Sequence, residues 1–127
     1  MLNLSIMPDR FAVCRLDSSM DIASWGVKGD FFSVTKTKEE LSIVCLESNV
    51  PPHIQAEKGW RAFKVEGPLD FSLTGILASL AQPLAQAKIS IFAISTYDTD
   101  YLLIKEDKLQ GAIEVLEKFC KVHKNTA

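Results

Sequence analysis

ISIFAISTYDTDYLLIK, residues 89–105, decides the fold. Two apolar runs rich in β-branched and aromatic residues flank a polar centre of Ser95, Thr96, Asp98, Thr99 and Asp100, the pattern of a hairpin. The first run, 89–96, is almost continuously apolar, as in a strand buried on both faces. Residues 97–100 make the turn and 101–105 the returning strand. Hydroxyls and carboxylates gathered at the end of an otherwise apolar hairpin form a candidate polar site on a rigid scaffold.

The flanking segments supply the partners of that hairpin. Upstream, WRAFKVEG (60–67) has strand character and stops at Gly67 and Pro68, after which Asp70 or Ser72 offers an N-cap oxygen. Leu73, Ile76, Leu77, Leu80, Leu84 and Ala87 then recur at three- and four-residue spacing, one face of a helix, with Pro83 expected to kink it. Downstream, Asp107 and Gln110 read as a capping box. Leu109, Ala112, Ile113, Leu116 and Phe119 or Cys120 mark a second amphipathic helix, and the tail VHKNTA reads as too polar for a core strand. The order strand–helix–strand–strand–helix is the start of a ferredoxin-like unit, α+β, with an antiparallel sheet and both helices on one of its faces. Its closing strand is missing from this reading, and an open edge must be covered. A strand from the N-terminal half, LNLSIM (2–7) or FAVCRL (11–16), is therefore expected to complete the sheet.

The N-terminal half gives fainter signals. FAVCRL, DFFSVTKT (30–37) and LSIVCLE (41–47) read as strands, and TKEE (37–40) as one helical turn capped by Thr37. SNVPPHIQAEKG (48–59), with two prolines and a closing glycine, reads as a linker. The expected division is 1–59, a degenerate repeat without a long helix, and 60–127, a full one.

Composition narrows the classes of function. At 127 residues, 47% hydrophobic and 24% charged, the chain has the makeup of a globular domain with a real core. A net charge of −2 provides no basic surplus for nucleic acid or an anionic membrane. No apolar run reaches the length of a membrane span, and MLNLSIMPDR lacks the features of a signal peptide. Cys14, Cys45 and Cys120 are isolated in the sequence and odd in number, so they read as small core hydrophobes in a reducing, cytoplasmic setting, with no metal or cofactor; redox or zinc chemistry is the competing reading.

GPLDFSLTGILASLAQPLAQAKISIFAISTYDTDYLLIK (67–105) resembles the ACT-domain family, regulatory amino-acid-sensing modules with the ferredoxin-like fold. The likeness is to small bacterial paired-ACT proteins, similar to the regulatory halves of aspartate kinases and to the CASTOR arginine sensors. FFSVTKTKEELSIVC resembles that group's degenerate first repeat. The resemblance implies two ferredoxin-like repeats and a non-catalytic sensor that binds a small amino acid at a repeat or subunit interface. It also implies a homodimer and a regulated partner protein of unknown identity.

The resemblance also implies site residues. Thr74, Gly75 and Ile76 would bring main-chain N–H groups to the ligand's carboxylate. Main-chain groups at Ile89, Ser90 and Ile91 would hold its ammonium. Ser95, Thr96, Tyr97, Asp98 and Asp100 would surround its side chain, with Asp100 at the carboxylate position. The residues themselves leave alternatives open. Gly75 could equally serve helix–sheet packing, and Asp98 could form the turn through Asx-type bonds. A protein-interaction module without a ligand, or a small enzyme using Asp98 and Asp100, are the competing functions.

Overall fold

The computed structural model describes residues 2–67 and 75–124. It contains eight strands and two α-helices: β1 (Leu2–Ile6), β2 (Phe11–Leu16), β3 (Ser33–Lys36), β4 (Leu41–Leu46), β5 (Gln55–Val65), α1 (Ile76–Gln86), β6 (Phe92–Ser95), β7 (Asp100–Lys105), α2 (Leu109–Leu116) and β8 (Cys120–His123). The chain divides into two compact units, Asp9–Trp60 and the pair of segments Met1–Pro8 and Arg61–Ala127. The boundary falls inside β5, which begins five residues earlier in sequence than WRAFKVEG suggests, within the stretch read as a linker. Ala56 alternates there with the exposed Gln55 and Glu57, a short period-two pattern that the prolines and glycine around it obscure.

In the unit containing the hairpin, the strand order is β6–β7–β5–β1–β8. β1 runs antiparallel to β5, with Leu4 opposite Val65 and Ile6 opposite Phe63. β8 then adds alongside β1 in parallel, so this sheet is mixed rather than purely antiparallel. The closing strand is thus present in the tail that looked too polar. Cys120 is buried and Val122 half-buried and packed on the core, while Lys121 and His123 face outward and His123 Nε2 meets Asn3 Oδ1 at 3.1 Å. An edge strand needs only one apolar face, and a four-residue strand shows only two such residues.

Both helices of this unit share one core with its sheet. Leu4, Ile6, Phe63, Val65, Leu102 and Ile104 from the strands meet Leu80 and Leu84 of α1 and Ala112, Ile113 and Leu116 of α2. α2 is entered through a 3-10 turn, Glu106–Lys108, with no side-chain cap, so the Asp107–Gln110 capping box does not form.

The other unit is a four-stranded antiparallel sheet in the order β3–β4–β2–β5. Its core is built from Ala12, Cys14, Leu16, Leu41, Ile43 and Cys45, with Trp25, Val34 and Ile54 packed against it. Among the described residues this unit has no α-helix; a 3-10 turn, Ser24–Val27, carries Trp25 and the buried Gly26. TKEE is a tight turn, in which the Thr37 hydroxyl accepts the N–H groups of Glu39 and Glu40 at 3.2 Å each.

Candidate functional site

Local backbone chemistry fixes each element of the site. α1 begins at Ile76, and Gly75 stands before it with φ 77° and ψ 2°. A Cβ at Gly75 would have nothing within 4 Å, so the residue does not serve helix–sheet packing. Its need is conformational: left-handed backbone is costly for any residue with a side chain. The first helical bond runs from Ser79 N–H to Gly75 O at 2.8 Å, which leaves the amides of the first turn without intrahelical acceptors. Thr74, like the candidate caps Asp70 and Ser72, lies outside the described residues.

The far end of α1 sets the approach to β6. Lys88 is left-handed, φ 62°, and donates its N–H to Ala85 O at 2.9 Å, while Ile89 N–H reaches back to Leu84 O at 2.9 Å. This bond pair is a Schellman motif, and Ile89 and Leu84, the apolar residues at its two ends, are both buried in the same core. It consumes residues that the apolar pattern assigned to a strand, so β6 begins at Phe92 instead of Ile89. Its residues alternate between half-buried and exposed, as expected of an edge strand with one buried face rather than two. Ser90 is exposed, and Ile91 packs against the core.

The hairpin end is tied by its hydroxyls. Ser95 and Asp100 are opposite partners in the β6–β7 ladder, and Ser95 Oγ donates to Asp100 Oδ1 at 2.5 Å. Thr96 N–H donates to Thr99 O at 2.8 Å, and Thr96 Oγ1 donates to the same carbonyl at 3.1 Å. Thr99 N–H returns to Thr96 Oγ1 at 3.2 Å. Thr96 therefore makes the turn-closing bonds that Asx chemistry would have assigned to Asp98. Tyr97, 79% exposed, and Asp98 occupy the tip.

Asp98 is left to line an open cavity of about 190 Å³ together with Lys64, Gly67 and Thr99. Lys64 Nζ also lies 3.8 Å from Glu66 Oε1, a partly exposed ion pair of small energetic worth. Thr99 is 5% exposed, and its hydroxyl donates to Val65 O, which fastens the hairpin turn to β5.

Of the residues singled out from the sequence, Ser95, Thr96, Asp98 and Asp100 are gathered at the hairpin end. Gly75 and Ile76 stand at the start of α1, and Ser90 and Ile91 at the entry to β6. Lys64, Gly67 and Thr99 escaped that reading. Lys64 alternates with the buried Phe63 and Val65, so the period of two already turned it to the opposite face of the strand. Among the described residues, no group of three or more His, Cys, Asp and Glu is placed to hold a metal ion, and no helix is long and apolar enough to cross a membrane.

Comparison with known proteins bears on this arrangement. The family model for the ACT domain matches residues 55–118, and a second model, of an N-terminal domain, matches 9–53. The cytosolic arginine sensor for mTORC1 subunit 1 of Homo sapiens is 45% identical over 60 residues, 46% of this chain and 18% of that protein. The matched segment is thus under a fifth of that relative's length. A crystal structure of a protein from Agobacterium tumefaciens superposes with a TM-score of 0.94 at 35% identity, covering 99% of this chain and 95% of that one. The regulatory subunit of aspartate kinase from Thermus flavus shares the fold, with a TM-score of 0.65 at 10% identity over 91% of this chain and 95% of that one.

Proposed function

The chain belongs to the ACT-domain family, and from that premise we propose that it is a non-catalytic regulatory module that binds a small amino acid. The ligand's carboxylate sits on the main-chain N–H groups at Gly75 and Ile76, where a helix N-terminus favours an anion. Carbonyl groups of 89–91 take its ammonium. Ser95, Thr96, Tyr97, Asp98 and Asp100 surround its side chain. The observation that carries this reading is Gly75, whose left-handed backbone and empty Cβ position leave the first amides of α1 approachable. Binding regulates only if two states of the protein differ in affinity for the ligand. A homodimer and a regulated partner protein belong to the same proposal, as does a cytoplasmic location.

Thermal unfolding in the presence of each of the twenty amino acids tests it. A ligand present at a hundredfold excess over its Kd stabilises by about 2.7 kcal/mol. For a chain of this size that raises the midpoint on the order of 10 °C. No shift with any amino acid at millimolar concentration would instead favour a protein-interaction module without a ligand. Given a hit, Asp100→Ala should weaken a cationic ligand far more than an apolar one; equal losses would remove Asp100 from the side-chain subsite.

A further inference from the structure

The three cysteines read from the sequence as unrelated core residues, but the β2–β4 ladder joins two of them. Ala12 lies opposite Cys45, and Cys14 opposite Ile43, so Cys14 and Cys45 are diagonal neighbours on the same face of one antiparallel pair. Both side chains are buried in the core of their unit. Cys120 is buried in the other unit, with no described cysteine beside it in the ladder.

The neighbouring Cys45 side chain holds the Cys14 thiol below its ordinary range, against the opposing effect of burial, with the Lys58 ammonium helping. Cys14 in turn, together with burial, pushes Cys45 upward. The two sulfurs are thus asymmetric, one disposed to be the thiolate and the other to stay protonated. Burial pushes Cys120 up, only partly opposed by a nearby positive charge.

We propose that Cys14 and Cys45 form an oxidisable dithiol that closes to an intramolecular disulfide when the protein meets a hydroperoxide. The Cys14 thiolate attacks one peroxide oxygen, the O–O bond breaks as an S–O bond forms, and the departing hydroxide takes a proton to become water. Cys45 sulfur then attacks Cys14 sulfur. The S–S bond forms, the S–O bond breaks, and the second hydroxide leaves with the Cys45 proton as water. Two thiols lose two electrons and two protons, and one peroxide becomes two waters. Diagonal partners stand wider apart at Cα than most disulfides span, so closure draws β2 and β4 together and makes the ladder the responsive element. A dithiol reductant reverses the change.

The test uses the full chain, folded, treated with hydrogen peroxide and then alkylated after unfolding. The expected result is the loss of two of the three alkylatable thiols. A mass decrease of two hydrogens and a cross-linked peptide pair containing Cys14 and Cys45 should accompany it, with Cys120 still alkylated. Dithiothreitol should restore all three. In Cys45→Ser the cross-link should vanish, and a sulfenic-acid trap such as dimedone should label Cys14. Retention of both thiols overturns the proposal, as does their separate conversion to sulfinic acids or oxidation of Cys120 at the same rate. The peptide mapping is read on the unmodified sequence, so misfolding of a variant does not blunt it.

Discussion

The two units solve the same packing problem with different material. In the unit containing 61–124, α1 and α2 lay Leu80, Leu84, Ala112, Ile113 and Leu116 against the strands. In Asp9–Trp60 an antiparallel sheet of similar kind has no α-helix among the described residues; the 3-10 turn Ser24–Val27 brings half-buried Trp25 and buried Gly26 to it. Where helices are absent, side-chain volume is replaced by close approach of backbone: a Cβ at Gly26 would lie 3.0 Å from both Cδ1 and Cγ2 of Ile43. A unit can thus keep its sheet without helices, provided a small residue lets another segment sit directly on the strands. Few apolar residues are then buried, and such a unit has little stability to spare.

The contrast is broken most directly in the helical unit. Leu84→Ala opens a cavity between α1 and the sheet and should cost about 2–5 kcal/mol in denaturant unfolding. A cost under about 1 kcal/mol would mean that α1 is not what closes that core. In the other unit, Gly26→Ala should destabilise by about 1–3 kcal/mol, because Ile43 is fully buried and its Cγ2 cannot swing aside. A neutral result would show that the 3-10 turn can lift off without loss.

A smaller effect is expected at the hairpin. Thr99→Val keeps the shape but removes the donor to Val65 O, for a loss of about 1–2 kcal/mol. Amide exchange at the turn should speed up more than in α2; uniform acceleration would show that the bond does not hold the turn locally. The smallest change concerns Asp17, whose carboxylate is held below its ordinary value of 3.8 by hydrogen bonds from the Ser19 hydroxyl and N–H. A depressed folded-state pKa stabilises above the ordinary value, and the contribution is lost as pH falls through the depressed one. Asp17→Asn should therefore lower the unfolding midpoint slightly at neutral pH and leave it unchanged at strongly acidic pH. An equal decrement at both would assign the effect to something other than the carboxylate.

The legibility of these features follows from where their causes lie. The helix face of Leu77, Leu80 and Leu84 and the β7 run Leu102, Leu103 and Ile104 are periodic within one element, so sequence alone exposes them. Lys88 defeats that kind of reading, because it takes a left-handed cap position usually held by glycine and thereby delays β6 to Phe92. β8 was hidden by its polar outward residues, and the start of β5 by the prolines before it. At the site, Ser95 and Asp100 were visible as polar residues at a hairpin end. That Thr96 rather than Asp98 closes the turn depends on side-chain rotamers that no spacing specifies. Asp98 consequently changes part, from turn former to cavity wall beside Lys64.

By itself the sequence determined the α+β class, the two helices of the second half, the hairpin and the cluster of hydroxyls and carboxylates at its end. All of these follow from interactions between residues close in the chain. Tertiary structure decided which distant residues meet. It placed β1 between β5 and β8, set Lys64 beside Asp98, tied Thr99 to Val65 and brought Cys14 to Cys45. Those pairings depend on strand order and register, which are fixed by burial of the whole sheet face rather than by any local pattern.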